Sequence, residues 1–495
     1  MDRPLRRRGL NLTLFDSPGL SDSLRRCLNL IIISGAFGTV NGNITGGAAW
    51  TGFLRAIQAN AAALGIFAAI PVAANSVQIL ISYALERTGR RREWMLRVGI
   101  AGRMLWAVIG LIPYVIPMSA PQLRIVTAMV FVALCAGSNA VISVSFYSLV
   151  TDLVPMRMRG RYFGVRQVFC LVAGILTGLL VSALLDRVEG YAGYTIALTI
   201  AGVFGGADIA LFALCDWPKM RAREGGGESL GRMLLAVARN KRFRKITLIM
   251  LYWGFAVNIC APFYNVYMLE VIGMTYTQVT LVNQVLPNVI TVFVISWWGR
   301  RMDTHGNKPV MQLTGLFTMA YPLLWLFTGP NVFWILVITN IASGLLSTAF
   351  DLGAQNMYLN AAPDVNRSMY ISAYFAATQL FGNAASNALG GMLVQNVLPA
   401  LEALNWHIAG IAMTRYHFIY LISGALRIVM ILGLLPMMQE DDCKSARALA
   451  MDSAVEIRES CARTARALSM TIHRKRARRA MRNETGGADN NNAEQ

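Results

Sequence analysis

Twelve apolar stretches follow one another along this chain, separated mostly by short basic turns. They fall near 28–49, 59–83, 94–116, 122–150, 162–185, 192–215, 246–269, 276–299, 309–329, 331–358, 369–397 and 413–438. Roughly 20 residues of helix cross the hydrocarbon core of a bilayer. Backbone amides in hydrocarbon must bond within their own segment, so runs of this length predict membrane helices. Two runs fit least well. The first is interrupted by Gly35, Gly38, Asn41, Gly42 and Asn43, and the eleventh carries many amides.

The 495 residues are 55% hydrophobic and 14% charged, whereas soluble domains run near a quarter charged. A net charge of +19 could suggest nucleic acid, but such binders gather their basic groups on one folded face. Here the basic residues come in bursts between apolar runs, a pattern that sets membrane orientation. With the long central loop and the C-terminal tail set aside, 19 Lys/Arg fall on one side, against Arg55, Arg124, Arg187 and Arg415 on the other. The expectation is an integral multi-pass protein of the bacterial cytoplasmic membrane, both termini cytoplasmic. None of the seven cysteines sits in a segment expected outside, so no disulfide is expected. The first run follows Arg25 and Arg26 and is long enough to span, so no cleaved signal is needed.

Composition divides the chain further. Residues 1–27 form a basic N-terminal tail, and 216–245, with Gly225 to Gly227 and nine basic residues, form a linker. It separates a six-run bundle at 28–215 from another at 246–438. The tail at 439–495 begins acidic, turns Arg-rich at 474–482 and ends in a partly disordered Asn-rich stretch. Residues 444–482 read either as a short helix lying on anionic lipid or as a solvated tail.

One ten-residue turn occurs twice. SYALERTGRR at 82–91 and GRRMDTHGNK at 299–308 align without a gap. Each has an acid fifth (Glu86, Asp303), a glycine eighth (Gly89, Gly306) and a base tenth (Arg91, Lys308). A second turn repeats in the same order: Asp152, Pro155, Arg159 and Gly160 match Asn360, Pro363, Arg367 and Ser368. The chain therefore reads as a duplicated bundle whose function sits between the copies.

On these two pairs of turns the chain resembles the major facilitator superfamily of secondary transporters, over about residues 25–440. It departs from that pattern at Glu86, where the family usually has aspartate, and at Ser82, where it usually has glycine. The resemblance implies an all-α membrane protein of twelve helices in two pseudo-symmetric six-helix bundles. It also implies that Glu86 faces the start of the eleventh helix and Asp303 the start of the fifth. A carboxylate docked on a helix N-terminus is stabilised by the macrodipole. With Arg87, Gly89, Arg91, Asp152, Arg159, Gly306, Lys308 and Arg367, these acids would form a cytoplasmic gate. The other reading is that the turns only fix hairpins and satisfy charge topology.

The resemblance further implies that helices 1, 4, 7 and 10 line a central cavity, with 3, 6, 9 and 12 outside it. Candidate pathway residues are then Asn41 and Asn43, Asn139 and Tyr147, Asn258, Tyr264 and Asn265 beside Pro262, and Asp351 with Gln355 one turn on. Gln379 and Asn383 stand on one face of the eleventh helix. Amides on one face either line a pathway or bond across a helix interface. A lone carboxylate deep in a span is expensive and usually functional, so Asp351 is a candidate for a proton or a cationic group. The alternative is an acid that merely holds helices together. Arg103, Asp208 and Arg427 are expected to pair or snorkel away from the cavity. No basic cluster is expected to face it, which favours a small neutral-polar or weakly cationic solute over phosphates.

No P-loop, H-E-x-x-H or nucleophile elbow is present, and the four histidines are scattered. The reading is therefore no enzyme, no metal and no cofactor. The expected protein is a symporter or antiporter, a monomer working by alternating access with a proton or other cation as partner. Its remaining contacts would be membrane lipid and no nucleic acid. Two rivals stay open, a passive facilitator and a transporter-like membrane sensor using the basic tail.

Overall fold

The computed structural model describes residues 14–15, 20–217, 239–330, 332–363, 367–408, 410–438, 440, 449 and 451–452. The linker expected at 216–245 and the tail at 439–495 fall largely outside these residues. Regular structure among them is helical, apart from a hairpin pairing His407–Ile408 with Ile411–Ala412.

The first half runs α1 (Asp22–Gly46), α2 (Ala48–Ala56), α3 (Ala61–Ser76), α4 (Gln78–Thr88), α5 (Arg91–Val115), α6 (Pro121–Leu153), α7 (Arg159–Arg187) and α8 (Tyr191–Leu211). The second runs α9 (Lys241–Asn258), α10 (Phe263–Glu270), α11 (Tyr276–Thr280), α12 (Leu286–His305), α13 (Asn307–Leu324) and α14 (Trp334–Ala361). It continues with α15 (Arg367–Ala377), α16 (Ala385–Met392), α17 (Leu398–Glu402) and α18 (Arg415–Ile428).

Among the described residues, ten helical stretches are long and apolar enough to cross a membrane. The two remaining expected spans, 59–83 and 369–397, are helical in pieces. α3 contains Pro71 and gives way to α4 at Val77. α15 and α16 are joined through a wide π-helical turn at Thr378–Ala384. At Val77 the N–H turns to the carbonyl of Ala74, three residues back, and at Thr378–Ala384 the ladder widens by one residue. Pro262 likewise stands at the start of α10, after the α9 helix has ended at Asn258. Capping sets several ends: Ser21 Oγ accepts from Leu24 N, so α1 begins six residues before the apolar run.

The outer surface is apolar. Val126, Val130 and Leu134 on α6, and Leu176 and Leu180 on α7, recur at spacing of four and are more than half exposed. In water such stripes would be costly, whereas hydrocarbon accepts them.

α3 crosses α16 between the halves through glycines. A Cβ on Gly65 would collide with Asn387 O and lie 2.8 Å from Gly391 Cα. Only small residues allow backbones this close, which accounts for Gly391 in the amide-rich eleventh segment, while Gly390 gives the same room to the Ile259 carbonyl of its own half.

The two copies of the repeated turn differ in their company. Gly89 ends α4 in the left-handed conformation at φ 63°, as a C-cap glycine does. At the second copy the chain beyond the last helix folds back. Glu440 accepts from the backbone N–H groups of Asn307 (2.9 Å) and Lys308 (2.6 Å), the first two residues of α13. Lys308 Nζ donates to the carbonyls of Pro436 and Met438. His305 Nε2 meets Asp452 at 2.9 Å, and Leu449 is buried with Trp298, Met302 and Val310.

Candidate solute pathway

The halves are bonded together at one end and largely parted at the other, where Ser76 Oγ donates to Ala376 O at 3.4 Å beside the opening. The joined end is opposite the repeated turns. There Asp186, at the end of α7, accepts from the backbone N–H groups of Tyr276 (2.8 Å) and Thr277 (3.0 Å) at the start of α11. Ser182 and Thr280 hydroxyls bond at 2.6 Å, as do those of Tyr194 and Tyr276. Arg55 pairs with Glu270, which also accepts from Tyr416 Oη at 3.1 Å. Ala61 N donates to Gln395 Oε1. A carboxylate on a helix N-terminus across the seam was expected of Glu86 and Asp303; here Asp186 makes that contact at the other end.

At the basic end a cavity of about 950 Å³ separates the halves. Gln78, Ser82, Arg91 and Asp152 form one wall, and Ser372, Phe375 and Gln379 the other. A second cavity of about 450 Å³ lies deeper in the first half and is closed partly by Gln284 and Asn288 of the second.

Among the described residues, no candidate gate residues meet across this opening. Arg91, 5% exposed, bonds Asp152 at 2.7 Å and Ser148 Oγ at 2.7 Å, bracing α5 against α6 within one half. Arg159 donates to the carbonyls of Val154 and Thr151 in its own turn. Asp303 and Arg87 are exposed. Gly306 keeps φ at 93°, which favours glycine. The side chains of Glu86 and Arg367 lie outside the described residues.

The candidate pathway residues separate into three groups. Tyr147 stands at both cavities, 66% exposed. Asn43 lines the deeper one and accepts from Gln284 across the seam. Asn258, Asn383 and Gln379 form a ladder of amides (3.1 Å each) that ends on the larger cavity. Asn265 bonds Asn283 at 2.7 Å beside Asn43 in a smaller cavity. Asp351 and Gln355 are exposed. Asp351 lies within electrostatic range of Arg427 and Tyr374 on two other helices, and neither it nor Gln355 lines either main cavity.

Three candidates lie elsewhere. Asn41 is buried, donates to Ala201 O and accepts from Arg103, so it holds a cation rather than facing the cavity. Tyr264 is stacked on Tyr420 (5.0 Å, 12°) beside Trp325, inside the aromatic core of the second half. Asn139 is half-buried and borders neither main cavity.

The deeper cavity holds charges that were expected outside it. Arg103 and Asp208 line it, and so does Arg166, on which no expectation rested. Arg103 pairs with Asp208 at 3.7 Å, and Ser34 Oγ donates to Asp208 at 2.5 Å. The premise that no basic cluster faces the cavity therefore does not hold. The missed signal is in α1. Gly38 leaves room for Asp208, whose Oδ2 would lie 2.7 Å from a Cβ there, and Gly35 does the same for Arg166.

No family model and no curated protein matches the sequence. Solved structures match across most of it. A point mutant of the nucleoside transporter NupG superposes with a TM-score of 0.63 at 14% identity, covering 84% of this chain and 100% of that one. A D-xylose-proton symporter gives 0.62 at 12% identity, covering 86% and 100%. A bacterial homologue of the human lysosomal transporter Spinster, inward-facing and unoccupied, gives 0.57 at 15%, covering 85% and 95%. The chain has the major facilitator fold. The larger cavity lies on the seam between the halves, and the deeper one reaches it at Gln284 and Asn288.

Proposed function

We propose that this protein is a secondary active transporter that moves a small polar organic solute by alternating access. Twelve crossings would form two six-helix bundles, 28–215 and 246–438, with both termini in the cytoplasm, as the basic residues of the short turns suggest. The observation that carries this reading is the asymmetry of the seam. Cross-half bonds gather at the end with Asp186, and a cavity of about 950 Å³ parts the halves at the basic end. That is the geometry expected of one extreme of a rocking pair of bundles, open to the cytoplasm. In the opposite extreme Glu86 and Asp303 would dock across the seam and close the basic end.

Asp351 is the proposed site for a coupling proton or cation, an exposed carboxylate within electrostatic range of Arg427. The transport of a nucleoside or a sugar named for the matched structures supports a polar organic solute, and the proton named for the xylose symporter supports coupling. The premise favouring a neutral or weakly cationic solute is weakened by the arginines in the deeper cavity.

Uptake by the full chain in reconstituted vesicles, with an imposed proton gradient, tests this. Accumulation that collapses with an uncoupler supports it. Equilibration unaffected by the uncoupler identifies a passive facilitator. No flux of any polar solute class would leave the sensor reading.

A further inference from the structure

The deeper cavity contains a guanidinium with no bonded counter-charge among the described residues. Arg166 projects from α7 with its Cζ 4.9 Å from the ring centroid of Phe146 on α6. It forms no hydrogen bond or ion pair among the described residues, and its Nε is shielded from solvent without a partner. Its neighbour Arg103 is already engaged, by Asn41 and by Asp208. Asp208 in turn takes Ser34 and Arg103. The cluster thus holds two cations against one anion and leaves one positive charge over.

Asp208 lies within electrostatic range of both arginines but neutralises only one, and an excess positive charge in a shielded cavity is expensive. Here the backbone gives it space. A Cβ on Gly35 would come within 2.9 Å of Nε, Cζ and Nη2, so α1 carries glycine where the planar group lies flat. The fork of N–H donors matches a carboxylate in two parallel bonds, and unlike a neutral acceptor pair the carboxylate also offsets the positive charge. A single excess charge suits a monoanion better than a phosphate dianion. Gln167, Tyr147 and Gln284 around it offer amide and hydroxyl groups for the rest of a small molecule, and about 450 Å³ is enough to hold one.

We propose that Arg166 receives the carboxylate of a small organic monoanion, and that this anion is the solute carried. The proposal rests on the transport reading, since the same cavity reaches the seam that must open.

The test measures thermal stabilisation and equilibrium binding of the purified full-length protein with glycolate, lactate, gluconate and benzoate, each beside its uncharged primary amide. Sodium chloride at equal ionic strength is the control. At least one acid should bind and its amide should not. Arg166→Gln should weaken that binding about tenfold or more, and Arg166→Lys should keep part of it. Gly35→Ala, which pushes a methyl against the guanidinium, should weaken the same acid while leaving the elution profile unchanged. Acids that bind no better than amides or chloride overturn the proposal, as does Arg166→Gln binding at wild-type strength. Acid binding without uptake into vesicles keeps the site and removes the transport reading. Uptake of a neutral amide undiminished by Arg166→Gln keeps transport and removes the site.

Discussion

The carboxylate of Asp186 receives the backbone N–H of Tyr276 at 2.8 Å, joining the end of α7 to the start of α11 across the two halves. Thr277 adds a second bond at 3.0 Å. An exposed acceptor at a helix N-terminus contributes on the order of 1 kcal/mol. Asp186→Ala should therefore shift the conformer population several-fold towards parting at this end. Spin labels at Gln58 and Leu404, exposed at the same end, would report longer separations. Identical distance distributions for variant and parent would remove the clamp assigned to Asp186.

Gly65 is fixed by contact with backbone. A methyl there runs into Asn387 O and the Gly391 backbone, and neither is the free end of a side chain. Overpacking of this kind costs about 1–3 kcal/mol. Gly65→Ala should lower the melting temperature by several degrees. Gly164→Ala, whose Cβ would meet nothing within 4 Å, should change it little. Equal melting of the two variants would contradict the close crossing of α3 and α16.

Asp303 and Arg91 should separate stability from transport. Asp303 is exposed in this conformer, so Asp303→Asn should move stability by no more than about 0.5 kcal/mol. It should lower uptake several-fold by weakening closure of the basic end. Arg91→Ala should lower both, because its buried guanidinium holds Asp152 and Ser148. Wild-type uptake by Asp303→Asn counts against the gate.

Asp351→Asn keeps shape and hydrogen bonding but cannot release a proton. Uptake driven by a proton gradient should be lost, while exchange of solute across the vesicle membrane persists. An unchanged pH profile in the variant would show that the coupling site is elsewhere.

Glu440 caps α13 from beyond the last helix, accepting from Asn307 and Lys308. Removing a cap costs roughly 1 kcal/mol. Glu440→Ala should lower the melting temperature by a few degrees and Glu440→Gln by less. No change in either would mean that the contact adds nothing to stability.

The spans are legible in the sequence because a membrane helix announces itself by length and hydropathy alone. The two weak points differ in kind. α3 runs unbroken through Pro71 and parts from α4 at Val77, whose N–H turns to the carbonyl of Ala74 near the larger cavity. The eleventh segment is amide-rich because it packs on α9 of its own half, where Asn258, Asn383 and Gln379 bond in a ladder, while Gly391 meets α3 of the other half. The site is legible by helix but not by face. Asn41 and Asn43 are two residues apart, yet one is buried against Arg103 and the other meets Gln284 across the seam. Arg166 follows a basic turn and reads as part of it. Only the glycines of α1, placed opposite, reveal where its head group goes.

The C-terminal stretch that returns to the repeated turn makes the two halves mechanically unequal. The turn at 82–91 braces through Arg91 on Asp152 and Ser148 of its own bundle, while that at 303–308 is gripped by Glu440 and Asp452 from beyond the last helix. A pull, a modification or a partner acting on the tail would thus reach one bundle before the other. A duplicated machine would in this way gain a handle on one of its two copies.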